Sequence, residues 1–116
     1  MLEIGGLNRE EDLALIGLLK AVIQADKKLT FDENEELKRV ATLMGSRFHE
    51  RVEEARNMFV TLSDIKGYVK GITRKPARQL IFNVVLEMAK QDEMLAQEDD
   101  LLEWLATTWE LEYFRR

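Results

Sequence analysis

The 116 residues suffice for one domain, and a 46% share of hydrophobic residues is enough for one core at that length. The absence of Cys excludes disulfides, a thiolate nucleophile and thiolate metal ligation. A net charge of −5 argues against a dedicated nucleic-acid binder. No apolar run approaches the ~18 residues of a membrane span, and residues 1–6 lack the basic and long apolar regions of a signal peptide.

Asn8-Arg9-Glu10-Glu11 reads as a helix start, with Asn8 as N-cap and Glu11 at the third helical position. The first helix runs to about Gln24. Leu13, Leu15, Ile16, Leu18, Leu19, Val22 and Ile23 cover more than one of its faces, so it is expected to be central and mostly buried. After a polar loop, Thr30-Phe31-Asp32-Glu33 has the spacing of a capping box. The second helix carries Leu37, Val40, Ala41 and Met44 on one stripe and stops at Gly45, which tolerates left-handed backbone angles.

Ser46 is the expected cap of a third helix with Phe48, Val52, Ala55, Met58 and Phe59 inward. Ser63-Asp64 is the expected start of a short fourth helix bearing Ile65, Tyr68, Val69 and Ile72. Pro76 suits the first turn of a fifth helix, rich in apolar residues from Leu80 to Ala89, which forms the second central element. A second polar loop precedes a sixth helix with Leu101, Leu102, Leu105, Ala106 and Trp109; Leu111, Tyr113 and Phe114 follow it. Trp104, Trp109, Tyr113 and Phe114 are expected to supply core and a C-terminal seal, with Trp109 in the core and Trp104 the more exposed of the two tryptophans. No period-two strand pattern competes.

The two halves repeat. Leu15/Ile81, Leu18/Val84, Leu19/Val85, Val22/Met88, Asp26/Asp92 and Leu29/Leu95 stand at one offset. Past the loop the offset shortens by one residue, giving Glu33/Glu98, Leu37/Leu102, Val40/Leu105, Ala41/Ala106 and Met44/Trp109. The fold expected over residues 1–116 is therefore a single all-α domain, a bundle of six or seven helices with an internal pseudo-twofold repeat. Charge follows the repeat: residues 1–46 hold six Lys/Arg against nine Asp/Glu, and residues 79–116 three against nine. The middle, 47–78, holds eight against four.

Ala25-Asp26, Leu29, Thr30 and Asp32-Glu33, followed by Asp92, Leu95 and Glu98-Asp99, resemble the doubled loop motif of the TerB family, associated with tellurite resistance. Arg78, before the second apolar helix, resembles that family too. Lys27 and Glu93 stand where the family has Gly, and Gln91 where it has Ala. The resemblance implies an all-helical, cytoplasmic, non-enzymatic protein of the stress response, working with a protein partner or at a peripheral membrane complex.

Asp26, Asp32, Glu33, Asp92, Glu98 and Asp99 are the candidate ligands of Ca²⁺ or another divalent cation, since carboxylate oxygens suit hard ions. The competing reading is that Asp32, Glu33, Glu98 and Asp99 only complement helix N-termini. The spacing is not that of an EF-hand, because Leu37 stands at the twelfth position from Asp26. Lys66, Lys70, Arg74, Lys75 and Arg78 are either a basic patch for an anionic partner or a solvated face pairing with the acidic ends. His49, alone and without Cys, is expected on the surface. No Gly-x-Ser-x-Gly elbow and no phosphate-cradling Gly-rich loop occurs. The leading expectation is a non-catalytic cation- or partner-binding protein; the alternative is a metal-free protein-interaction or dimerisation module.

Overall fold

The computed structural model describes residues 2–26, 31–90 and 96–114, the side chains of positions 26, 31 and 32 excepted. It is an all-α bundle, with no strand among the described residues. A 3-10 turn at Ile4–Gly6 leads into α1 (Arg9–Asp26). Then come α2 (Phe31–Met44), α3 (Phe48–Met58), α4 (Leu62–Val69), α5 (Lys75–Ala89) and α6 (Ala96–Trp109). No helix among the described residues is long and apolar enough to cross a membrane.

The start of α1 is fixed by a reciprocal capping box. The Asn8 Oδ1 accepts from the Glu11 amide at 2.9 Å, and Glu11 Oε1 accepts from the Asn8 amide at 2.9 Å. From Glu11 to Leu19 every residue of α1 is buried. α1 packs against α3, α4, α5 and α6, so it is the axis of the bundle. α5 buries Ile81, Phe82, Val84, Val85, Met88 and Ala89 beside it. α6 closes over α5 with Leu101, Leu102, Leu105 and Trp109. The Trp109 Nε1 donates to the Val69 carbonyl at 2.9 Å, which satisfies the one polar atom of a deeply buried indole.

α3 is held flat on α1 by a missing side chain. Phe59, at the end of α3, lies over Gly17, where a Cβ would stand 2.8 Å from the ring. The same ring packs edge-on against Tyr68 of α4, with centroids 5.2 Å apart. α2 is placed differently. It packs chiefly on α5 and on the Ile4–Gly6 turn rather than on α1, its neighbour in sequence.

Several local expectations are corrected. Ser46 caps nothing: Gly45, at φ 77°, leads into a 3-10 turn at Gly45–Arg47 that passes into α3 without a side-chain cap. α4 begins at Leu62, not at Ser63-Asp64. Its cap is Thr61, whose Oγ1 accepts from the Asp64 amide at 3.2 Å while Asp64 accepts from the Thr61 amide at 3.0 Å. Met58 is 40% exposed rather than inward, because α3 turns it away from α1. Phe114 is 85% exposed and seals nothing. The expected capping residue Thr30 lies outside the described residues.

Candidate functional site

The acidic loop positions divide into two groups. Asp92 and the loops at 27–30 and 91–95 lie outside the described residues, as do the side chains of Asp26 and Asp32. Asp26 ends α1 and Asp32 stands in the first turn of α2. Glu33, Glu98 and Asp99 are described, and all three are buried. Glu33 and Glu98, the repeat mates, are each 2% exposed and each engaged within the chain. Asp99 is 8% exposed, and its Oδ1 accepts from the Tyr113 hydroxyl. Tyr113 thereby folds the segment after α6 back along that helix, its ring edge-on to Phe82 at 5.8 Å.

Burial on this scale costs a carboxylate dearly unless its oxygens are bonded. The first turn of a helix supplies such partners, since its amides have no acceptors of their own. Glu98 and Asp99 both stand in the first turn of α6. Among the described residues no buried side-chain nitrogen or oxygen lacks a hydrogen-bond partner. Among them, too, no three acidic, His or Cys groups are disposed to hold a metal ion.

The two helix ends that carry the loops are neighbours. Gln24 and Ala25, near the end of α1, and Gln97, at the start of α6, line one depression of about 250 Å³. Its floor is Ala21, Leu62, Ile65 and Leu101. The exit of the first loop-bearing helix and the re-entry of the second thus share one end of the bundle, with an amide side chain from each.

The basic residues of the middle segment are engaged in different ways. Arg74 is bound to Glu11, through Nε at 3.0 Å and Nη2 at 2.6 Å. Arg78 is half-buried and donates Nε to the Ile72 carbonyl at 2.6 Å. Lys66 places its ammonium 4.9 Å from the centre of the half-buried Trp104 ring, a cation–π contact. Lys70 and Lys75 are exposed. His49 is exposed and packs edge-on against Phe48.

A second charged cluster escaped the sequence reading. Asp12, with 0% exposure, accepts from Arg47, just ahead of α3, at 2.7 Å and from Arg51 of α3 at 3.3 Å. Arg51 also reaches Glu54 at 3.0 Å, and Glu54 pairs with Arg9. The Arg9 hydrogen bond, seconded by its charge and by Arg51, holds the Glu54 carboxyl below the usual value. Arg47 and Arg74 each do two jobs. Arg47 links Asp12 to the Ile4 carbonyl, and Arg74 links Glu11 to the Gly6 carbonyl. The N-terminal turn is thereby tied to α1 twice. The signal available in the sequence was the pair Glu11-Asp12 inside an otherwise apolar helix and Arg47, Arg51 and Glu54 on one helical face.

No family model, no curated protein and no solved structure matches this chain.

Proposed function

We propose that this chain is a non-catalytic, TerB-like binding protein of the cytoplasmic stress response. It acts through its two acidic helix–loop–helix units, taking a divalent cation, a protein partner or both. The fold reading is the pseudo-twofold bundle of six or seven helices. It is supported by matched burial at the repeat positions: Leu15/Ile81, Leu19/Val85, Val22/Met88, Glu33/Glu98 and Val40/Leu105 are buried in both members.

The observation that carries the functional reading is the shared depression lined by Gln24 and Gln97. It brings one end of each loop to the same end of the bundle. The candidate carboxylates are Asp26, Asp32, Glu33, Glu98 and Asp99 in the helices that flank the loops, with Asp92 in the second loop by sequence, and Ca²⁺ suits such a set better than Mg²⁺ because it accepts irregular oxygen shells. The second loop lacks the two lysines of the first, Lys27 and Lys28, and is the stronger binder. Isothermal titration with CaCl₂ at low ionic strength tests this. Asp92→Asn with Glu98→Gln is expected to weaken binding more than Asp26→Asn with Glu33→Gln. No heat at millimolar calcium removes the cation.

One observation favours the metal-free alternative. Glu33, Glu98 and Asp99 already have partners within the chain, Tyr113 in the case of Asp99. In that reading the carboxylates fasten helix ends, and the same end of the bundle serves a protein partner or a second copy without an ion.

A further inference from the structure

α1 forms the base of one apolar groove between α2 and α3. Ile16, Leu19 and Ile23 recur at helical spacing along a groove of about 420 Å³, with Leu37 of α2 on one wall and Phe48 and Val52 of α3 on the other. The groove exists because α2 packs on α5 and the N-terminal turn while α3 packs on α1, so the two walls stand apart. Ile23, Leu37, Phe48 and Val52 are only half-buried, which leaves an apolar trough between two helices. That is the shape into which the apolar face of a further helix fits, through anchors at i, i+3, i+4 and i+7.

The charges at its edge select the occupant. The charged residues of the lining are Lys20 and Arg56, both cationic, in a chain of net charge −5. Lys20 donates one hydrogen bond to the Phe59 carbonyl at 3.1 Å. Arg56 pairs with Glu53 in an exposed i,i+3 contact, the two side chains 67% and 63% accessible. Such a pair is weak enough to exchange for another carboxylate.

We propose that this groove docks an amphipathic α-helix of a partner protein, with an apolar stripe against the half-buried Ile23, Leu37, Phe48 and Val52 and acidic residues facing Lys20 and Arg56. The site is separate from the acidic loop ends and stands without the cation reading.

The test uses the whole chain and two fluorescein-labelled helical peptides that share one leucine stripe, flanked by Glu in one and by Lys in the other. Fluorescence anisotropy at low salt is expected to show the Glu-flanked peptide binding at least about tenfold tighter, a preference that shrinks as salt screens the charges. Lys20→Glu with Arg56→Glu is expected to reverse the preference. Arg56→Glu alone, at an exposed site that folding does not depend on, is expected to reduce it. Val52→Asp is expected to abolish binding of both peptides with an unchanged helical circular-dichroism signal. Three results overturn the proposal: no binding of the Glu-flanked peptide, equal binding of the two, or binding untouched by Arg56→Glu. Saturation of the groove by palmitate with both peptides inert makes it a lipid site and overturns it too. A dimer in sedimentation that Val52→Asp dissociates assigns the groove to a second copy instead, with the same consequence.

Discussion

Arg74, the residue ahead of α5, grips the Glu11 carboxylate of α1 with two nitrogens, and so joins the starts of the two central helices. Burial alone pushes the Glu11 carboxyl up. The Arg74 hydrogen bond, the Asn8 amide and the Arg74 charge together outweigh it, and the group sits below its ordinary value of 4.5. A depressed carboxyl contributes its full stabilisation above the unfolded-state value and loses it as pH falls through the folded one. Glu11→Gln is therefore expected to lower the urea midpoint at neutral pH, and the gap from the parent should close on going from about pH 6 to about pH 3. A gap that stays constant with pH would mean the carboxylate's charge is irrelevant.

Asp12 tests the other cluster. Removing a buried carboxylate leaves Arg47 with unmatched charge beside the core and Arg51 with only its Glu54 and Glu50 contacts. Asp12→Ala is expected to cost about 3 kcal/mol in chemical denaturation, toward the low end for a buried pair because both arginines keep some access to water. A change within experimental error would show that the two arginines find equivalent partners elsewhere.

Leu19 and Val85 are 1% and 0% exposed on the two central helices. Truncating either to Ala should cost ~2–4 kcal/mol, through lost burial and the cavity left behind. Calorimetric melting of both variants checks this, and a negligible shift in both would place the core elsewhere.

Gly17 offers a sharper test of packing. An added Cβ would come within 2.8 Å of the Phe59 ring, itself 2% exposed and wedged against Tyr68. Overpacking of about 1–3 kcal/mol should exceed the ~1 kcal/mol that Ala gains over Gly in a helix. Gly17→Ala is thus expected to destabilise, and Phe59→Leu in the same chain to recover part of the loss. Stabilisation by Gly17→Ala alone would show that α3 can slide away freely.

Glu110 ends α6 with a φ of 58°. Leu111 N donates to the Ala106 carbonyl at 2.8 Å and Glu110 N to the Thr107 carbonyl at 3.4 Å, the bond pattern of a Schellman turn. Gly is the usual residue at that position, so Glu110→Gly should raise stability by about 1 kcal/mol. An unchanged or lower thermal midpoint would show that the side chain has an offsetting contact.

What the sequence made legible was local or periodic. The Asn8/Glu11 box needs only residues three apart, and the burial of α1 and α5 follows from apolar residues on more than one helical face. The stop at Gly45 follows from its backbone freedom. The misses have physical reasons as well. The Thr61 cap was overlooked in favour of Ser63-Asp64 because its partner at the third position is Asp64 rather than Glu or Gln. Ser46 has the residue type of a cap, but the break falls at Gly45, with φ 77°, and Ser46 lies inside the 3-10 turn that passes into α3 with Arg47 already in the right-handed helical region. The Asp12 cluster joins residues 35 and 39 positions apart, beyond any periodic signal. At the candidate site, the loop carboxylates were legible as a repeat. The burial of Glu33 and Glu98, and the placing of Gln24 and Gln97 along one depression, depend on how the helices pack, which no local pattern encodes.

The central position of α1 has a consequence for synthesis. Arg74 follows Glu11 by 63 residues, so the partner helix is made long after α1. At about 5–20 residues per second that delay is roughly 3–13 s, and neither α5 nor α6 is available to cover the apolar faces of α1 meanwhile. A nascent chain carrying such a helix is a natural client for holding chaperones on the ribosome. Arrest of translation between α4 and α5 should leave it more dependent on them than arrest just after α6.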